Sequence, residues 1–299
     1  MLDQADKLRQ LVRETVKEHT VLQPGVPMVA VSGARGGVGA SAIALALALE
    51  LAQLGKRVVL VDADLRAPRL TRSLSSSRNG GLADVMNGRR AVSEVLEQIT
   101  EGVQLLPGSD VANEAAEFNP RAMNRMITEL RSLTNIADVI LIDAGAGMNP
   151  WVERFWTASL QILLLCTPQP SVVMDGYAAL KLAPWVDVDG KLHLVVNQCS
   201  DPVEGMRVSD SFTSTCRRFL GMKLLGEAAV LPSEKQLSSG AATLSLRSPF
   251  RRSLRLLAAD LLSQTHMVKG RIDPPQSRSH ESGLQAEVLL AAVAQEFSA

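Results

Sequence analysis

Apolar and polar positions fall into blocks along the chain. Short apolar runs rich in β-branched residues recur at Met28–Val31, Val58–Val61, Asp138–Ile142, Leu160–Cys166 and Leu192–Val196. Each reads as a strand buried on both faces. Between them, apolar residues return at helical spacing over Ala40–Leu54, Ala122–Leu133, Val173–Leu182, Phe212–Leu220 and Pro249–Leu262. Weaker signals predict strands at Val103–Leu106 and Lys223–Leu225 and a pair of short helices within Gly81–Ile99. Thr71–Gly80 reads as a polar loop. Strands alternating with helices predict an α/β fold: a doubly wound, mostly parallel sheet with helices on both faces.

The two ends have their own patterns. Ala5, Leu8, Val12 and Val16 recur at helical spacing between charged residues, so residues 2 to about 18 read as an amphipathic helix. Thr20–Pro27, with Pro24, Gly25 and Pro27, is a linker. The helix is either a packing arm or a peptide that works on a partner. Residues 267–283 are polar, with Pro274 and Pro275; Leu284–Phe297 then returns to helical spacing. The expected division is an N-terminal helix (1–19), a linker (20–27), the α/β domain (28–266) and a linker with a C-terminal amphipathic helix (267–299). The charges of that last helix are only Glu287 and Glu296. Interfacial helices are rich in Lys and Arg, so docking on protein is its default and weak membrane-surface contact the alternative.

Composition narrows the classes. With 299 residues the chain can bury one large core. Lys plus Arg total 31 and Asp plus Glu total 31, so net charge points to neither nucleic acid nor an acidic partner. Cys166, Cys199 and Cys216 are widely spaced without a C-x-x-C, which argues for apolar filler in a reducing compartment and against zinc. Met1–His19 is too charged for a signal peptide, and no apolar run reaches a membrane span. A cytoplasmic protein is expected, with a peripheral place at the inner membrane face left open.

The candidate chemistry begins at Met28–Ser41, MVAVSGARGGVGAS. A strand, a glycine-rich turn (Gly33, Gly36, Gly37, Gly39) and a helix start make a phosphate cradle, because loop amides and the helix dipole both face the anion. A P-loop ends G-K-[ST]; this one ends Gly39-Ala40-Ser41, keeping the Mg²⁺-type hydroxyl and lacking the lysine. Asp62 and Asp64 follow the second strand, where open α/β sheets bind ligands. Beside a phosphate loop they suit metal and water positioning, although Asp is also common in such turns. Asp143 closes the strand DVILI in the Walker B manner, a carboxylate for Mg²⁺, and Ala144-Gly145-Ala146-Gly147 reads as a small-residue loop beside it. Asn197 ends the strand Leu192–Val196. Its amide could read an adenine edge or be a turn residue.

With these residues in hand, the chain resembles the MinD/ParA family of P-loop ATPases, and within it the FlhG branch of regulators of flagellar number and placement. ARGGVGAS aligns with the deviant Walker motif K-G-G-V-G-K-[ST]. LIDAGAG is close to L-I-D-T-G-A-G, and Thr167–Pro170 with Asp175-Gly176-Tyr177-Ala178 resembles T-P-E-P…D-A-Y-A. Asp3-Gln4-Ala5 and Leu8-Arg9 match the activator motif D-Q-A-x-x-L-R at every fixed position.

The resemblance implies that Gly36, Gly37, Val38, Gly39, Ala40 and Ser41 line ATP or ADP. It implies that Ser41, Asp62 and Asp143 serve Mg²⁺, that Asp64 positions water, and that Asn197 contacts adenine. It further implies an ATP-linked homodimer. Asp3, Gln4, Ala5, Leu8 and Arg9 would stimulate a signal-recognition GTPase of the FlhF type. There are two main departures. The signature lysine that reaches across the dimer is Arg35 here, and the lysine on the β/γ-phosphates is Ala40; Ala34 also stands where glycine is usual. A degenerate, non-hydrolysing scaffold is therefore a competing expectation. DADLRAPRL also resembles bacterial tyrosine kinases, which carry a C-terminal tyrosine cluster, whereas this chain has only Tyr177. A DNA-partitioning role would leave the activator motif unexplained.

Overall fold

The computed structural model describes residues 25–75, 80–108, 120–183, 188–233 and 248–269, with side chains as far as 264 in the last segment. The helices expected at 2–18 and 284–297 lie outside these residues, as do positions 3–9, expected to act on a GTPase.

An eight-stranded sheet organises the described residues. Its strands are β1 (Met28–Gly33), β2 (Val58–Asp62), β3 (Glu97–Thr100), β4 (Val103–Leu106), β5 (Val139–Ala146), β6 (Gln161–Cys166), β7 (Leu192–Cys199) and β8 (Ala229–Pro232). They lie in the order β3-β4-β2-β5-β1-β6-β7-β8. Every pairing is parallel except that of β3 with β4. The doubly wound α/β expectation holds. The central strands β1, β2 and β6 are buried at every position, which is why they read as unbroken apolar runs. β1 sits between β5 and β6, where sequence order along the sheet reverses, and such switch points place ligands outside the strands' carboxyl ends.

The helices are α1 (Ala40–Gln53), α2 (Arg69–Leu74), α3 (Leu82–Met86), α4 (Val92–Val95), α5 (Pro120–Ser132), α6 (Pro150–Ala158), α7 (Pro170–Leu182), α8 (Pro202–Leu220) and α9 (Pro249–Lys269). α1 is buried almost all round, as its Ala/Leu sequence requires. Its one buried acid, Glu50, meets Arg251 of α9 at 2.5 Å, and Arg251 also donates to Gln53 Oε1 at 2.7 Å. Removing one partner of such a buried pair costs about 3–5 kcal/mol, because the other charge stays buried. This contact pins the phosphate-loop helix to the C-terminal part of the domain. Gly55, at φ 82°, ends the helix.

Several elements differ from expectation. The polar stretch from Thr71 begins inside α2, because Leu70 is fully buried and anchors a helical turn. The paired helices α3 and α4 are followed by the edge strand β3, whose antiparallel pairing a single short strand does not advertise. The eighth strand is Ala229–Pro232; Lys223–Leu225 only touches β7, through Leu225 N–H to Leu192 O at 2.7 Å. Ala144–Ala146 belong to β5, so the small residues after Asp143 continue the strand. α6 escaped the pattern, and α8 starts at Pro202, ten residues ahead of Phe212, under an Asp201 cap.

Candidate functional site

The site forms at the carboxyl ends of β1, β2, β5 and β7. Between β1 and α1 the chain turns through Gly37 (φ 85°) and Gly39 (φ 89°), backbone that side chains resist. A Cβ at Gly36 or Gly37 would meet no atom within 4 Å, so the outer side of the loop is open. The loop is fastened from behind. Ala34 N–H donates to Leu165 O at 2.8 Å, and Gly147 N–H donates to Gly33 O at 3.0 Å. Asn197 Nδ2 donates to Val38 O at 2.9 Å, and Gln198 Nε2 donates to Gly37 O at 3.4 Å. A Cβ at Gly39 would sit 2.7 Å from Asn197 Nδ2. Asn197 therefore braces the phosphate loop, a role its local sequence did not suggest.

Sheet register brings the carboxylates together. Asp62 and Asp143 are paired neighbours on β2 and β5, both with zero exposure. Thr71 holds Asp62 Oδ2 through its N–H and its hydroxyl, each at 2.7 Å, and the same hydroxyl accepts from Gly108 N–H at 2.6 Å. Asp143 Oδ1 accepts from Gly145 N–H at 3.2 Å, and the Ser41 hydroxyl also bonds to Asp143. Asp62 Oδ1 and Asp143 Oδ2 remain buried without a protein partner. Burial, followed for Asp143 by the neighbouring charge of Asp62, pushes the pair above the usual carboxylate range, to about 6 for Asp62 and about 7 for Asp143. Two orphaned oxygens beside a serine hydroxyl form a hard-oxygen set that fits Mg²⁺. Among the described residues no group of three or more His, Cys, Asp or Glu converges as a metal cage. An ion that takes one or two carboxylates plus waters and phosphates needs none.

Asp64 lies just outside this pair. Its Oδ1 accepts from Arg66 and Ala67 N–H at 3.0 and 3.2 Å. Its carboxyl rests over Gly145, where a Cβ would come within 2.8 Å of Asp64 Cγ.

The cationic side is different. Ala40 opens α1 with no charge to offer. Arg35 is turned onto α7, with Nε 2.5 Å from Asp175 Oδ2 and Nη1 3.3 Å from Ser171 Oγ. Gly176 of α7 packs beside Ala34 and Phe212: a Cβ there would lie 3.4 Å from the Ala34 methyl and 3.2 Å from Phe212 Cε2.

The geometry thus brings together Ser41, Asp62, Asp64, Asp143, Asn197 and the glycines, and draws Arg35 aside. Thr71, Ser171, Asp175 and Trp151 were missed. Thr71 stands nine residues after Asp62, a separation that no local pattern marks, and Trp151 sits on the helix that escaped the pattern.

An open phosphate loop, a buried carboxylate pair at adjoining strand ends and a seven-strand parallel run define the class as a P-loop NTPase. Comparison with known proteins agrees. Residues 26–181 match the AAA domain family model. The chain is 31% identical over 199 residues to the antiactivator FleN of Pseudomonas aeruginosa, spanning 67% of this chain and 71% of that protein. It is 27% identical over 208 residues to the flagellum site-determining protein YlxH of Helicobacter pylori, spanning 69% of each. Its fold matches the septum site-determining protein MinD of Pyrococcus horikoshii, solved with Mg-ADP, at TM-score 0.61 and 22% identity, over 83% of this chain and 99% of that one. The chain belongs to the MinD/ParA family of P-loop NTPases, in its FleN/FlhG branch. Among the described residues no helix is long and apolar enough to cross a membrane.

Proposed function

We propose that this chain is a nucleotide-dependent regulator of flagellar number and placement that binds Mg-ADP or Mg-ATP weakly and turns it over slowly. The observation that carries the reading is the orphaned oxygen pair, Asp62 Oδ1 and Asp143 Oδ2, beside Ser41 at the foot of an open glycine loop. Ser41, Asp62 and Asp143 hold the metal, which when bound supplies positive charge to the phosphates. The loop amides from Gly36 to Ser41 and the start of α1 face the phosphates, and Asp64 orients water. FleN and YlxH, the relatives named above, support the flagellar role, and the MinD solved with Mg-ADP supports the cofactor.

Ala40 sets the strength. One charge-assisted hydrogen bond is worth about 1.5–3 kcal/mol, roughly 10- to 150-fold in affinity. The test is calorimetry of the full chain with ADP and ATP, in Mg²⁺ and in EDTA. Binding that requires Mg²⁺, with a dissociation constant well above the low-micromolar range, is expected. Tight binding indifferent to Mg²⁺, or none at millimolar nucleotide, overturns the reading.

The N-terminal motif supplies the output: Gln4, four positions before Leu8 in sequence, reaches the centre of an FlhF-type GTPase and orients water there. A peptide of residues 1–20 should accelerate GTP hydrolysis by that partner, and Gln4→Ala should remove most of the gain. Equal rates with and without bound peptide would return the segment to a packing arm. A scaffold without turnover is the second reading. It is favoured by Ala40 together with Arg35 held in cis by Asp175 and Ser171. ATP-linked pairing of two chains would require Arg35 to exchange that partner for the phosphates of the other copy.

A further inference from the structure

α6 follows β5, the strand that carries Asp143, and holds two buried tryptophans. Each indole donates to a different segment of the chain. Trp156 Nε1 donates to Ser32 Oγ at 2.8 Å, on the strand that feeds the phosphate loop. Trp151 Nε1 donates to Ala63 O at 2.8 Å, on the residue between Asp62 and Asp64. Asn149 caps the helix by accepting from Trp151 and Val152 N–H at 2.9 and 3.1 Å, which fixes where Trp151 begins. Phe155 stacks edge-on against Trp151 with ring centroids 5.1 Å apart, so the indole cannot turn away.

Ala63 is held on its other side as well. Its N–H donates to Asp143 O at 2.9 Å. The backbone between Asp62, which ends β2, and Asp64 is therefore gripped from β5 through the Ala63 N–H and from α6 through the Ala63 carbonyl. Neither acid touches Trp151 directly; the indole acts through the peptide. The carbonyl that Trp151 holds belongs to the Ala63–Asp64 peptide, so releasing it would loosen the turn by which the chain leaves Asp62, and two-carboxylate sites for small hard cations tolerate little such slack.

We propose that Trp151 is a positioning residue for the divalent cation, its indole N–H clamping Ala63 so that Asp62 and Asp143 present their free oxygens at a fixed spacing. The inference rests on the nucleotide-binding reading above.

Trp151→Phe keeps the ring and removes the donor. Trp156→Phe removes the same kind of bond from the same helix and serves as the comparison. Two readouts are taken on the full chain. The first is amide hydrogen exchange at Ala63 and Asp64 without ligand. The second is the Mg²⁺ concentration giving half-maximal binding of a fluorescent ADP, beside the affinity for that ADP in EDTA.

Trp151→Phe should speed exchange at Ala63 and Asp64 and raise the Mg²⁺ requirement about tenfold, with the EDTA affinity unchanged. Trp156→Phe should leave both Ala63 exchange and the Mg²⁺ requirement near the parent values. Unchanged exchange in Trp151→Phe, an unchanged Mg²⁺ requirement, or the same losses in both variants overturns the inference alone. A parent chain that gains nothing from Mg²⁺ overturns the nucleotide-binding reading and this inference with it.

Discussion

The acidic and cationic halves of the site are held in different ways. The acidic half is buried and braced: Asp62 by Thr71, Asp143 by Gly145 and Ser41, and the peptide between Asp62 and Asp64 from two sides. The cationic half is thin. Ala40 carries no charge, and Arg35 stands at 48% side-chain exposure, paired with an acid on its own chain. Buried carboxylates with empty oxygens cost stability and remain only where something offsets them. An exposed arginine pair costs and contributes little. The comparison teaches that the metal end is specified by the fold, whereas the phosphate end depends on a few side chains that can be lost while the sheet stays intact.

The largest expected effect strikes the acidic half. Asp143→Asn should remove the Mg²⁺-dependent part of nucleotide binding, at least 10- to 100-fold when read by calorimetry in Mg²⁺ against EDTA. Retention of that increment would mean the carboxylate pair is not the metal's seat.

The same variant should be more stable without Mg²⁺. A folded-state value raised above the unfolded one means the native chain holds extra protons between about pH 4 and pH 7. Stability of the ligand-free parent therefore falls as pH rises through that window, and the penalty is complete above it. Thermal melts at pH 8 should favour Asp143→Asn by on the order of 1–3 kcal/mol, with the gain shrinking toward pH 5. A parent more stable at pH 8 than at pH 5.5, relative to the variant, would contradict the strained pair.

The smallest effect belongs to the cationic half. Asp175→Ala should shift stability by roughly 0–1 kcal/mol. By freeing Arg35 it should increase dimer formation with a non-hydrolysable ATP analogue, measured by light scattering. Arg35→Ala should reverse that increase in the double variant. A dimer indifferent to both changes would make Arg35 a loop residue.

What was legible in the sequence divides along the same line. The strand, loop and helix from Met28 to Gln53, Asp62 at the end of β2 and Asp143 after the apolar run of β5 are local patterns, so periodicity and the ends of apolar runs locate them. The parallel sheet follows from alternation alone. The supports are non-local. Trp151 meets Ala63 across 88 positions, Asn197 meets Val38 across 159, and Arg35 meets Asp175 across 140. Thr71 is only nine residues from Asp62, yet it was hidden in a stretch whose Ser, Thr and Arg content reads as solvent-facing loop. α6 was missed because its Trp and Phe residues pack against the sheet through a short helix whose start depends on the Asn149 cap. Short edge strands such as β8 depend on their neighbour and carry little pattern of their own.

The acidic half is complete, and the loss that sets nucleotide affinity is the phosphate lysine at Ala40. Ala40→Lys tests this most directly, with ADP and ATP dissociation constants measured by calorimetry in Mg²⁺ for parent and variant. Restoring one charge-assisted contact in an otherwise intact site should tighten binding about 10- to 150-fold, and the gain should vanish when Asp143→Asn is added. An Ala40→Lys chain that folds normally and binds no better than the parent would contradict the account, because the defect would then lie beyond the missing lysine.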